Sequence, residues 1–203
     1  MSPLPPHPPK ELRPDLALIA SWVPEGARVL DLGCADGALM AHLQTSKGCH
    51  GYGVEIDDEG VLGCVRRGVN VIQQNIEAGL GMFGAGLFDV VVLSMAIQAT
   101  QKTEYVLREM SAVGREGIVS FPNFGHWYHA LSILRGRMPV SREMPYEWYD
   151  TPNVHLSTPH DFELFLAKLG LRVTASVFLA DGMPVKFLPA LRSTQAIYRF
   201  TRL

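Results

Sequence analysis

Residues 29–37, Val29-Leu30-Asp31-Leu32-Gly33-Cys34-Ala35-Asp36-Gly37, constrain this chain more than any other stretch. Apolar residues around an acidic one lead into a short turn bracketed by two glycines, and a helical pattern begins at Ala38. The pattern predicts a strand, a tight loop and a helix start. In an open α/β sheet such a loop lies at the carboxyl end of a strand, where ligands bind, and the first N–H groups of the helix favour an anionic ligand group. Gly33 and Gly37 let the backbone approach that ligand with no Cβ in the way.

A nucleotide site needs a second anchor, and Glu55 supplies it at the end of the next strand, Gly51-Tyr52-Gly53-Val54-Glu55. A carboxylate about twenty residues beyond the glycine loop can grip a ribose diol with both oxygens. The loop departs from the dinucleotide fingerprint, with Ala35 and Asp36 inside it. Carboxylates at Asp31 and Asp36, with no nearby Lys or Arg, make a poor cradle for a pyrophosphate. A cationic, phosphate-free nucleoside suits them better. S-adenosylmethionine is such a ligand, with a sulfonium, an ammonium, a ribose diol and one carboxylate for the helix N-terminus.

With 203 residues the chain can bury a substantial core as one domain over 11–203. A net charge of -2 gives no electrostatic case for nucleic acid or an anionic membrane. Cys34, Cys49 and Cys64 lack metal-ligand spacing and read as reduced thiols, so no metal site is expected. No apolar run approaches the roughly eighteen residues that span a bilayer, and the start lacks a secretory core, which places the expected compartment in the cytoplasm. Five prolines in residues 1–10 predict a disordered tail.

Helical faces are expected at Leu16, Ile19, Ala20 and Val23; at Leu39, Met40 and Leu43; at Val61, Leu62 and Val65; and at Val106, Leu107, Met110 and Val113. Strands fall between them over 69–73, 88–93 and 117–121. Phe88-Asp89-Val90-Val91-Val92-Leu93 is apolar enough to be buried on both faces, so it belongs at the centre of a parallel sheet. The alternation predicts an α/β, doubly wound sheet. Residues 122–158 break the cadence with a short helix, Trp127, Ala130, Leu131 and Leu134 on one side, and a long aromatic loop. They are expected to form a lid or interface insertion. Thr158-Pro159-His160-Asp161 starts another helix, its core face being Phe162, Phe165, Leu166 and Leu169. Segments 172–179 and 196–201 are expected to close the sheet as an antiparallel pair.

Seven strands with these loops resemble the Rossmann-like fold of S-adenosylmethionine-dependent methyltransferases. Several stretches are more specific: Leu12-Arg13-Pro14-Asp15-Leu16, Gly51-Tyr52-Gly53-Val54-Glu55-Ile56-Asp57, Phe121-Pro122-Asn123-Phe124-Gly125-His126-Trp127, Gly136-Arg137-Met138-Pro139-Val140 and Trp148-Tyr149-Asp150-Thr151-Pro152-Asn153-Val154-His155 are similar to the methionine biosynthesis protein MetW family. The resemblance implies binding of S-adenosylmethionine or S-adenosylhomocysteine by Asp31, Gly33, Cys34, Ala35 and Gly37 of the loop, by Glu55 and Ile56, by the adenine-side pair Asn75 and Ile76, and by Ser94. It also implies a partnership with homoserine O-acyltransferase, the acetyl- or succinyltransferase of methionine biosynthesis. Two departures are Ala35, where a third glycine is usual, and Asn75, where an aspartate is usual. Ala35 is compatible with the loop if its φ is negative.

Methyl transfer from a sulfonium is driven largely by alignment, so a base is needed only for an acceptor that must lose a proton. The candidates are His126, Tyr149 and His155, although a lone His or Tyr in an aromatic loop is more often a structural hydrogen-bonder. Trp127, Tyr128, Tyr146, Trp148 and Tyr149 suit either an interface centre or a satellite core. Two alternatives to the partner reading are a free-standing small-molecule methyltransferase and a scaffold with a vestigial pocket.

Overall fold

The computed structural model describes residues 12–203, and the tail expected over 1–10 lies outside the described residues. Strands β1 (Arg28–Leu32), β2 (His50–Glu55), β3 (Val71–Gln73), β4 (Phe88–Ser94) and β5 (Gly114–Pro122) are parallel; β6 (Leu171–Ala180), β7 (Met183–Pro184) and β8 (Gln195–Arg202) complete one sheet in the order β3-β2-β1-β4-β5-β8-β6-β7. The order reverses between β1 and β4, which opens a crevice at the carboxyl ends of those strands. The glycine loop leaves β1 at that point.

Helices cover both faces. On one, α1 (Pro14–Trp22), α2 (Ala38–Lys47) and α3 (Asp58–Arg66) enclose Val29, Val90, Val92 and Ile118; on the other, α4 (Thr103–Val113) and α6 (Pro159–Lys168) enclose Leu30, Leu32, Val91 and Leu93. β4 sends side chains to both clusters, as its unbroken apolar run requires. α6 starts as expected: Thr158 Oγ1 accepts from Asp161 N at 3.2 Å and Pro159 opens the first turn. The remaining helices are α5 (Trp127–Leu134) and α7 (Pro189–Arg192).

Three details differ from the sequence reading. The sheet has eight strands rather than seven, because Asp181-Gly182 reverses the chain with positive φ at both residues and pairs β7 with the end of β6. An Asp-Gly pair is a hairpin signal, and here it adds a strand of two residues. α3 does not bury Leu62 and Val65, which are exposed; it buries Cys64 and turns Gly60 and Gly63 inward. A Cβ on Gly60 would lie 2.8 Å from Glu55 Cγ, and one on Gly63 would lie 2.8 Å from Asp36 Cβ. Contact with the loop therefore requires the smallest residues on that face, overriding the apolar periodicity. α5 likewise buries His129 rather than Trp127 or Leu134, the latter 84% exposed.

Candidate functional site

The loop after β1 is pinned by its neighbours. Gly33 N and Cys34 N both donate to Val54 O, at 2.8 and 3.2 Å, and Gly37 N donates to Cys34 O at 2.9 Å. Gly33 and Gly37 have φ of 66° and 74°, the region glycine favours. Ala35 has φ 47°, so the condition under which an alanine fits here without strain, a negative φ, is not met. A left-handed alanine costs roughly 1–2 kcal/mol, and its N–H donates to Glu55 Oε2 at 2.7 Å, a charge-assisted bond that holds it there.

Glu55 does more than await a ligand. Its Oε1 also accepts from Ile56 N at 2.8 Å and Asp57 N at 3.0 Å. Three backbone donors occupy a carboxylate with about four acceptor sites, leaving about one free for a ribose hydroxyl. The expected two-oxygen grip is thus replaced by a carboxylate that builds the loop and offers one remaining lone pair. The cleft beside it, about 340 Å³, is lined by Ala35, Asp36, Glu55, Asp57, Glu59 and Gly60. Ile56 stands 62% exposed at its edge.

Asp31 lies buried at the end of β1. Burial raises its pKa to about 7, Glu55 adds repulsion, and Arg13 opposes both. Its carboxyl is therefore poised to ionise when a cation arrives. Beside it in sequence, Asp36 pairs with Arg67. Cys34 Sγ sits 3.6 Å from Cys64 Sγ, and Cys64 Sγ donates to Ala35 O at 3.2 Å. Hydrogen bonding to Cys64 and burial push the Cys34 thiol well above the ordinary thiol range, so it stays a neutral packing group.

Ser94 ends β4 within a polar cluster that the sequence did not foretell. Its Oγ is 3.1 Å from Ser120 Oγ and 3.3 Å from the buried Asp15 carboxylate, to which Arg13 Nη2 donates at 2.8 Å. Arg13 and Arg67 correct the expectation that no cation stands near the loop: both come from elsewhere in the chain. The available signal for Arg13 and Asp15 was the Arg-Pro-Asp run before α1, and for Gly60 and Gly63 their spacing on one helical face.

The remaining residues fall into two groups. Asn75 is exposed and its Oδ1 accepts from Glu77 N at 2.8 Å, capping the 3₁₀ turn Ile76–Ala78, while Ile76 packs on the core. His126 Nδ1 caps α5 by accepting from Tyr128 N at 3.3 Å, and burial lowers its pKa. Tyr149 is 71% exposed beside Trp148 at 70%. His155 N donates to Gln98 O at 3.0 Å, and its ring borders a groove between α4 and α6. Among the described residues, no hydrogen bond joins His126, Tyr149 or His155 to Asp31, Glu55 or Ser94. The motif residue Asn123 is buried: its Nδ2 donates to Ala190 O, Ser193 O and Ser193 Oγ at 2.7–3.1 Å, fastening the end of β5 to the segment before β8.

Sheet order, glycine loop and acidic strand tip together define an S-adenosylmethionine-dependent methyltransferase fold. An S-adenosylmethionine-dependent methyltransferase from Archaeoglobus fulgidus is similar with a TM-score of 0.71 at 17% identity, covering 94% of this chain and 92% of that one. One from Mesorhizobium loti gives 0.68 at 14%, covering 93% and 96%. The chain belongs to the MetW family, methionine biosynthesis protein MetW, whose pattern matches residues 13–200. A bifunctional methionine biosynthesis protein MetXA/MetW from Rhodopirellula baltica is 34% identical over 179 residues, 82% of this chain. The match spans 28% of that relative's length. No helix among the described residues is long and apolar enough to cross a membrane.

Proposed function

We propose that this protein binds S-adenosylmethionine or S-adenosylhomocysteine in the cleft at the end of β1 and β2, and acts in methionine biosynthesis as the partner of homoserine O-acyltransferase. The cleft wall that Glu55 builds by accepting from Ala35 N at 2.7 Å is the observation that carries the ligand reading, and it is supported by the buried Asp31 carboxyl nearby, which burial pushes up to about 7. Such a carboxyl favours a ligand bringing positive charge, and the acidic lining disfavours phosphates. Arg13 offers a guanidinium for the one carboxylate of the amino-acid moiety, while Glu55 retains acceptor capacity for a ribose hydroxyl. Ile56 and Ile76 supply apolar contact for the adenine.

The partner reading is supported by the fused MetXA/MetW relative and by the exposed rings of Trp127, Tyr146, Trp148 and Tyr149. Exposed aromatic clusters suit interface centres better than a satellite core. Titration calorimetry with S-adenosylhomocysteine, alone and with homoserine O-acyltransferase, tests both parts. A single nucleoside site and a stable complex are expected. Absence of nucleoside binding overturns the ligand reading, and absence of a complex overturns the partnership. Transfer of labelled methyl to a small molecule by the isolated protein would instead favour a free-standing methyltransferase.

A further inference from the structure

α5 carries its apolar side outward. Of the run Trp127-Tyr128-His129-Ala130-Leu131-Ser132-Ile133-Leu134 only His129 is buried, its Nδ1 lying 3.3 Å from Phe124 O, while Trp127, Tyr128, Ile133 and Leu134 are exposed. Short helices draw most of their stability from burying an apolar stripe, and here much of that stripe faces away from the core. α7 is fastened beside the start of α5. Asn123 Nδ2 donates to Ala190 O at 2.7 Å, and a Cβ on Gly125 would lie 3.5 Å from the same oxygen. No residue of α7 is buried, and Phe187, Leu188 and Leu191 around it are exposed. Leu188 has φ 46°, a left-handed conformation unfavourable for leucine.

The charges among these apolar residues have one sign. Segments 127–142 and 183–192 contain Arg135, Arg137, Arg142, Lys186 and Arg192 and no Asp or Glu, in a chain whose net charge is -2. All five are exposed, and none has an ion-pair partner among the described residues. Glu143 and Asp181 flank the two segments in sequence. None of the five lines the cleft beside Glu55, whose charges, Asp36, Asp57 and Glu59, are of the other sign. A surface that covers this face must therefore bring apolar area together with carboxylates.

We propose that α5 and the segment 183–192 form one docking surface, occupied by an apolar, acidic face of the acyltransferase. The inference rests on the partnership proposed above; it adds which surface is used and what charge the other side carries. The fused MetXA/MetW relative favours a protein over a lipid surface as the occupant.

Titration calorimetry of the full chain with homoserine O-acyltransferase tests the surface. Lys186→Glu combined with Arg192→Glu touches only exposed side chains, and should weaken the complex about tenfold or more. Phe187→Ser combined with Leu191→Ser should weaken it by a similar factor. Raising the salt from about 50 to about 300 mM should weaken the wild-type complex more than the charge-reversed one. Circular dichroism checks the fold of both double variants, and if the serine pair unfolds, the charge reversal and the salt series decide. A wild-type complex indifferent to charge reversal and salt overturns this surface and leaves the partnership standing. Absence of a wild-type complex removes the partnership and this inference with it. Binding to phosphatidylglycerol vesicles that the charge reversal abolishes, with the acyltransferase complex unchanged, assigns the face to a membrane and likewise overturns the proposal.

Discussion

The glycine loop with α3 and the segment 122–158 are both dense in family motifs, yet they are built oppositely. In the first, small residues bring a helix onto a loop, and Glu55, Ala35 and Cys64 are tied together by hydrogen bonds. In the second, polar anchoring is concentrated at Asn123 and His129, while most of the aromatic rings point to solvent. The first arrangement pre-organises a cleft, whose proposed role is to hold a small ligand. The second leaves apolar area uncovered, and its proposed role is the lid or interface that a partner covers.

The contrast breaks most sharply at Glu55. Glu55→Ala strands three backbone donors and frees Ala35 from its left-handed conformation. Chemical denaturation should show a loss of about 3 kcal/mol or more, and calorimetry a loss of S-adenosylhomocysteine affinity of about a hundredfold. Unchanged values on both counts would show that the cleft is not built on this carboxylate.

Asp31 comes next. Its folded pKa of about 7 lies above the ordinary 3.8, so between those values the native state binds the extra proton. Its contribution to stability therefore falls as pH rises from about 4 through 7. Asp31→Asn should stabilise the protein above pH 7 by up to about 4 kcal/mol, and the gain should shrink toward zero near pH 4. The same variant should weaken S-adenosylmethionine binding, and wild-type affinity for that cation should rise between pH 6 and pH 8. Denaturation midpoints of wild type and variant across pH isolate this group from the other carboxylates.

On the opposite side of the comparison, Trp148→Ser with Tyr149→Ser should change stability by no more than about 0.5 kcal/mol, since both rings are largely exposed. The double variant should nevertheless weaken the acyltransferase complex about tenfold or more in a binding titration. A large stability loss instead would make these rings core. The smallest effect is expected for Ala35→Gly, which relieves the positive φ but loosens the unfolded chain. A net gain of about 0.5–1 kcal/mol or less should appear in melting experiments.

Much of the fold was legible because its signals are local. The unbroken run of β4, the faces of α4 and α6, and the Thr-Pro start of α6 each appear in the sequence and in the structure. The faces of α3 and α5 were misread because periodicity records apolarity, whereas close approach to the loop selects glycine and the buried side of α5 selects a histidine with a backbone partner, Phe124 O. Within the candidate site, the bracketing glycines and the strand-tip carboxylate could be found by spacing. Arg13, Asp15 and Ser120 could not, since they lie far from Ser94 in sequence or carry no distinctive pattern.

Local residue patterns suffice for the alternation of strand and helix, the loop at the sheet's reversal and the acidic residues around it, because backbone hydrogen bonding and turn chemistry act over a few residues. Packing alone sets that Glu55 spends most of its acceptor capacity on the loop, that burial pushes the Asp31 carboxyl up to about 7, and that Gln98 Oε1 is buried without a hydrogen-bond partner among the described residues. Those properties follow from desolvation and from which distant groups arrive at the same place, and neither is set until the chain has packed.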